Sequence, residues 1–280
     1  MNTIISNINL SEVELKHVLS EVKCLSNFDF SLYSHSFIKR RTEYFMSKNN
    51  IFSEGDLIYR INNSSALLGH FIENVFFQQF ELFRDVELWN YIEEKVLPKF
   101  LKQTEVKIYF PYSSGAEQLY SFLYILNNFN TEKFKIYITG VTDRHVSKIK
   151  NPNFTKAHVK ASEKNISLLK TALDKDDVFF ENNGEFKVNV NYSGNLIFTT
   201  CDFFKEQHFA DFDLVFFQNK MIFFNTELKA KSLNYVVRSL KKGAYLILGE
   251  RETIDKTIEK KIKHLHKGMS IYKRKTFLLT

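Results

Sequence analysis

The chain has 280 residues, 44% hydrophobic and 25% charged, which is the balance of a soluble globular protein with length for one large domain or two modest ones. A formal net charge of +7 favours acidic partners, whether nucleic acid, a membrane surface or an acidic protein. Cys24 and Cys201 lie far apart without metal or redox spacing and read as reduced packing residues of a cytoplasmic protein.

The N-terminus, MNTIISNINLSEVELKH, lacks the basic region and apolar run of a secretory signal. No apolar stretch approaches the roughly 18–20 residues of a membrane helix. The first hundred residues read as helices. SEVELKHVLSEV follows Ser11, an N-cap candidate with Glu14 three residues on. FIKRRTEYFMSKN, EGDLIYRIN, SALLGHFIENVFFQQFELF and VELWNYIEEKVLPKF continue the helical spacing, with short polar breaks that suit an antiparallel bundle. Pro98 ends the last pattern or allows one more turn.

From Val106 the pattern changes. VKIYF, FKIYITG, GNLIFTT, DLVFF and GAYLILG read as strands, with helical stretches between several of them. Strands alternating with helices predict a mainly parallel sheet covered on both faces. KTFLL at the end is a candidate last strand, antiparallel at a sheet edge. The expected architecture is α/β: a helical domain over 1–100 and a doubly wound domain over 101–280, with the boundary near 98–105.

In such a sheet, ligands bind beyond the carboxyl ends of the strands, at the switch point of the topology. IYFPYSSGAEQLYSFLYIL (Ile108 to Leu126) has the strand–turn–helix order of a nucleotide-type site, but a proline and a tyrosine stand where glycines are usual. A lone turn of this kind fits a cofactor site and plain architecture equally well.

Further segments carry more. LYSHSFIKRR, FRDVELWNYIEEKVLP, SSGAEQLYS, FDLVFFQNKMIFF and LKKGAYLILGERE, in this order and spacing, resemble the chemotaxis receptor methyltransferase (CheR) family. The resemblance runs from about Tyr33 to the C-terminus. It implies a Rossmann-like class I methyltransferase fold, S-adenosylmethionine as cofactor and transfer of its methyl group to receptor glutamates.

The resemblance implies Arg84 and Phe223 at catalytic positions. In the family's N-x-T-x-x-x-R-D stretch, Gln78 and Phe80 stand for Asn and Thr, while Arg84 and Asp85 are kept. In the family turn A-G-C-S-T-G-E-E-P-Y-S, Tyr112 and Ala116 replace two glycines, and Glu117, Tyr120 and Ser121 remain. Glu117 is implied to bind the cofactor; equally, it suits the N-terminus of a helix as an acid favoured by the dipole.

Gly140 takes the place of the ribose-binding Asp. Two charge-assisted hydrogen bonds go with that loss, about 2–4 kcal/mol, or roughly 30- to 1000-fold in affinity. Asp143 offers partial compensation or caps the next helix. Asp202 and Phe203 stand for a family Asn-Leu pair that faces the cofactor. Gln218 replaces an Arg, Asn219 is kept, and Phe223 lacks the hydroxyl of the family's Tyr.

The best-kept positions thus serve the fold, and the cofactor-facing ones have changed. This predicts a protein-glutamate O-methyltransferase with weakened or lost activity, or else an inactive relative acting as a regulatory protein-binding module in chemotaxis-type signalling. The expected partner is an acidic helical receptor or signalling protein. Lys39, Arg40 and Arg41 are candidates for its docking face by resemblance and charge, and ordinary solvated helix charges otherwise. Nucleic acid has only charge in its favour.

Overall fold

The structure, a computed structural model, describes residues 8–26, 28–75, 80–113, 115–171, 174–200 and 210–276. The chain divides into two compact units, Met1–Phe77 with Met221–Ser232, and Gln78–Lys220 with Leu233–Thr280.

The first unit contains α1 (Glu12–Ser26), α2 (His35–Lys48), α3 (Glu54–Asn63) and α4 (Ser65–Val75). The predicted cap is in place: Ser11 Oγ accepts from Glu14 N at 3.2 Å, and the Glu14 carboxylate accepts from Ser11 N at 2.7 Å. Leu15, Val18 and Val22 recur at helical spacing and are fully buried. They join a core in which Phe71 lies edge-on to Phe45 and Phe30. The returning segment pairs with this unit: Phe224 bridges Tyr33, and the Phe223 carbonyl accepts from Ser34 N at 2.8 Å.

The second unit opens with the helical run α5 (Val86–Tyr91), a π-turn (Ile92–Val96) and α6 (Leu97–Phe100). Pro98 sits in this last turn, and the helix ends at Phe100. This run buries Leu88, Trp89, Ile92, Val96, Leu97 and Phe100 in the core of the sheet, which is why the compact units divide before it and not at 98–105.

The helix predicted through Phe83 does not extend that far. Residues 80–85 are not helical: the chain turns at Leu82–Phe83 and bends at Arg84–Asp85, with Phe83 and Asp85 at φ 53° and 63°. Leu82 N donates to Ser162 Oγ at 2.9 Å and Phe83 N to Ser121 Oγ at 2.8 Å. Side-chain hydroxyls have taken the amides that a helix would have used.

Next come β1 (Val106–Phe110), α7 (Glu117–Leu126), β2 (Phe134–Gly140), α8 (Asp143–Lys150), α9 (Lys156–Ser167), α10 (Lys175–Val178), β3 (Phe179–Asn182), β4 (Glu185–Val188), β5 (Asn195–Thr200) and β6 (Phe212–Phe217). The helix α11 (Thr226–Ser239), β7 (Leu240–Leu248), α12 (Lys256–Glu259), β8 (Ile262–His264) and β9 (Ile271–Arg274) complete the order.

Seven strands form one sheet in the order β5-β2-β1-β6-β7-β9-β8. The first five are parallel, and β9 and β8 are antiparallel. The predicted doubly wound sheet is therefore present, and its switch point falls between β1 and β6. The antiparallel element is Ile271–Arg274, inside the sheet and upstream of KTFLL; Lys275 and Thr276 are not strand, and the last four residues lie outside the described ones. Gly243, at φ 79°, sits where the β6–β7 register shifts, so its left-handed turn forms a bulge inside β7. Phe110 and Phe216 stack across β1 and β6 at 4.5 Å, with Phe122 of α7 edge-on to Phe216, and fix α7 over the switch point.

Candidate functional site

The loops leaving β1, β2, β6 and β7 meet at one end of this sheet. The β1 turn is stapled to Thr139 of β2. Tyr112 N donates to Thr139 Oγ1 at 3.0 Å, Ser113 N to the Thr139 carbonyl at 2.8 Å, and the Tyr109 hydroxyl lies 3.2 Å from the same Oγ1. Tyr112 keeps the left-handed backbone that suits glycine, at φ 53°, with its ring buried.

Glu117 begins α7 and is buried, 6% exposed. Its carboxylate folds back over Gly115, so that a Cβ at residue 115 would collide with it. Opposite it stands His158 of α9, with Nε2 at 3.5 Å from Glu117 Oε1. His158 Nδ1 takes the Thr155 N–H at 3.0 Å, which leaves the ring proton on Nε2, facing the carboxylate. Phe80, itself exposed, packs its ring 5.1 Å from that of His158.

Arg84 lies between the two left-handed residues, with Nε 3.5 Å from Glu81 Oε1 and its carbonyl held by Trp89 Nε1 at 2.7 Å. Burial pushes the Asp85 carboxyl up, against the pull of Arg84, and Glu250 and Glu81 push it further. Gln218 Nε2 reaches Asp85 Oδ2 at 3.5 Å, while Gln218 Oε1 accepts from Gln118.

Beyond Gln218 the chain turns at Asn219, φ 57°. Glu252 is buried and accepts from Asn219 N at 3.0 Å and from Gly249 N at 2.7 Å through one oxygen. Gly249 must lack a side chain, because Asn219 fills the place of its Cβ. Lys220 follows, half-buried; burial draws its ammonium down to about 8, opposed by Glu252 and Glu117.

At the end of β2, a Cβ on Gly140 would meet Val146 Cγ2 at 2.8 Å and the Val146 amide at 3.3 Å. The space a ribose-binding side chain would need is held by α8. Thr142, and not Asp143, caps α8, by accepting from His145 N at 3.1 Å. The Asp143 carboxylate accepts from the Thr200 hydroxyl.

Of the residues expected to face a cofactor, the structure thus gathers Phe80, Arg84, Glu117, Gly140, Gln218 and Asn219 in the second unit, around the ends of β1, β2 and β6. Gln78, Asp202 and Phe203 lie outside the described residues. Phe223 is in the first unit, stacked on Phe37 at 4.0 Å. His158, Lys220 and Glu252 were not singled out from sequence. Glu252 had a weak signal, as an acid three residues after the glycine that follows a buried strand; His158 had only its place three residues after Thr155.

Residues 78–269 match the family model for the CheR methyltransferase, SAM binding domain. The chain belongs to the CheR family. The chemotaxis protein methyltransferase of Listeria monocytogenes is 21% identical over 229 residues, covering 81% of this chain and 84% of that one. That of Borreliella burgdorferi is 24% identical over 267 residues, covering 89% and 90%. S-adenosylmethionine is accordingly the cofactor of this CheR domain. A buried carboxylate, Glu117, and a guanidinium, Arg84, are the kinds of group that would complement the amine and the carboxylate of its amino-acid end. At the ribose end the fit is poorer, since Gly140 offers no side chain and Val146 closes the space behind it.

Proposed function

We propose that this CheR-family chain is a protein-glutamate O-methyltransferase whose grip on S-adenosylmethionine is weakened, working in the cytoplasm in chemotaxis-type signal transduction. The single observation that carries the weakened grip is Val146 packed against Gly140. When bound, the cofactor supplies a methyl group on a sulfonium, which a carboxylate attacks in line. A glutamate is already ionised near neutral pH, so the site needs no strong general base. What these residues contribute is binding and orientation: Arg84 and Glu117 toward the amino-acid end, and the buried β1 turn to exclude water.

The partner we propose is an acidic helical segment of a receptor or signalling protein. In the first unit Arg41 donates to the Asn74 carbonyl at 2.7 Å and Lys39 to Asn9 Oδ1 at 2.9 Å, so both also serve their own fold. A second reading, a protein-binding module without methyl transfer, draws on the missing hydroxyl at Phe223. Isothermal titration with S-adenosylmethionine and with S-adenosylhomocysteine separates these readings. The first predicts dissociation constants above about 100 µM for the methyl donor. Binding at about 1 µM would overturn the weakened grip. No heat from either ligand at millimolar concentration, with a cooperative thermal melt, would leave the second reading.

A further inference from the structure

The chain's positive charge is gathered at one edge of the sheet. Between Lys256 and Lys275 lie eight lysines and arginines against a single acid, Glu259, which equals the formal excess of the whole chain, +7. This segment is α12, β8 and β9, and β8 is the outermost strand. Lys263 of β8 stands directly opposite Lys273 of β9, and Lys273 opposite Tyr245 of β7, so the three share one face of the sheet. The Lys273 ammonium lies 5.5 Å from the centre of the Tyr245 ring. From α6, Lys99 Nζ donates to the Tyr245 hydroxyl at 3.3 Å. Among the described residues, no carboxylate pairs with Lys99, Lys263 or Lys273. Elsewhere Lys135, Lys170, Lys175 and Lys231 each rest on a glutamate.

Like charges set opposite each other across two strands work against the fold. Lysine on a short edge strand does discourage pairing with another chain. One or two charges suffice for that, and it gives no reason for Lys99, which comes from a helix. The row is an anion-binding surface.

We propose that this edge rests on an anionic lipid surface, held by charge and without insertion. The side chains favour that occupant. Lysine is a hydrated point charge suited to many loosely placed headgroups, whereas arginine forks grip phosphates one by one. The arginine of the segment, Arg274, turns inward to the carbonyls of Arg238 and Leu240. No ring is laid open for a nucleic-acid base, since Tyr245 is buried beneath the lysines and His264 stacks on Tyr272 at 4.8 Å. A three-residue edge strand bearing lysine is poorly suited to accept an acidic strand. None of these residues is among those read as facing the cofactor.

The test is co-sedimentation of the full chain with vesicles of phosphatidylcholine alone and with about one-third phosphatidylserine, at about 0.02 M and about 0.5 M salt. Wild type is expected to bind the anionic vesicles at low salt and to release them at high salt. Each lysine neutralised weakens binding about fivefold, and the triple variant Lys99→Gln, Lys263→Gln, Lys273→Gln on the order of 100-fold. A second triple variant, Lys156→Gln, Lys160→Gln, Lys164→Gln, removes the same charge from the exposed face of α9 and is expected to bind as wild type does. Lys263→Glu separates binding from folding. It weakens vesicle binding by more than fivefold while melting no lower than wild type, because it turns a like-charge pair with Lys273 into an opposite one. Equal losses in the two triple variants, or no binding of wild type to anionic vesicles at low salt, overturn the proposal. So does tighter binding, lost in the edge variant, to a single-stranded oligonucleotide or to polyglutamate at matched charge and salt, which would make the occupant a nucleic acid or an acidic protein.

Discussion

His158 Nε2 faces the Glu117 carboxylate at 3.5 Å while its Nδ1 receives the Thr155 N–H at 3.0 Å. One ring thereby caps α9 and supports the acid at the start of α7. Histidine is here in the place that Glu or Gln takes in a capping box. His158→Ala leaves the Thr155 amide without its partner and is expected to cost about 1–2 kcal/mol in urea unfolding. His158→Gln can accept the same N–H and is expected to cost less than about 0.5 kcal/mol. Equal losses in the two variants would show that the ring contacts with Phe80 and Phe154, and not the cap, hold this corner.

Asp29, in the first unit, gives a pH signature. Burial raises its carboxyl, but the hydrogen bonds from Lys23 and Ser31 win and bring it from 3.8 down to about 2. A folded value below the unfolded one means that its contribution is present above about pH 4 and is lost as pH falls through about 2. Asp29 is about one-third exposed, so the contribution after screening is about 1 kcal/mol and no more. Asp29→Asn is expected to lose that amount at pH 6 and to match wild type near pH 2 in chemical unfolding. A constant difference across this range would refute the assignment.

What was legible in the sequence was what neighbours decide. Ser11 and Glu14 announce their helix because both halves of the cap lie within one turn. The parallel strands were legible from their apolar runs. The β3–β4 hairpin was overlooked despite a strong signal: Asn183 and Gly184 form its two-residue turn at φ 53° and 81°. The predicted helix through Phe83 failed for a reason that no local pattern carries, since Ser121 and Ser162, far along the chain, claim the amides of Phe83 and Leu82. The site divides in the same way. Glu117 and Asn219 were visible as motif positions, whereas His158 and Lys220 acquire meaning only once α9 and the β6 loop are brought to α7.

Tyr112 sets backbone strain against burial. A tyrosine at φ 53° costs about 1 kcal/mol that glycine would not. The ring is 3% exposed, and removing a buried aromatic costs about 3–5 kcal/mol. Burial wins, so Tyr112→Gly is expected to destabilise by about 2–4 kcal/mol even though it restores the family residue. A neutral or stabilising result in thermal or urea unfolding would mean that the ring contributes little packing.

Gly140 and Val146 must change together. Gly140→Asp alone drives a Cβ to 2.8 Å from Val146 Cγ2 and is expected to cost about 1–3 kcal/mol without improving cofactor binding. Val146→Ala removes that methyl group, though the Val146 amide, 3.3 Å from the same Cβ, still requires a small shift of α8. In the double variant a carboxylate would be available to a ribose diol, and two charge-assisted hydrogen bonds are expected to return roughly 30-fold or more in affinity. The two substitutions are therefore non-additive in both stability and binding, as expected for residues in contact. Titration of wild type, both single variants and the double variant with S-adenosylhomocysteine measures the coupling. Additive effects, or a full gain in Gly140→Asp alone, would show that Val146 does not close the ribose side of the cleft.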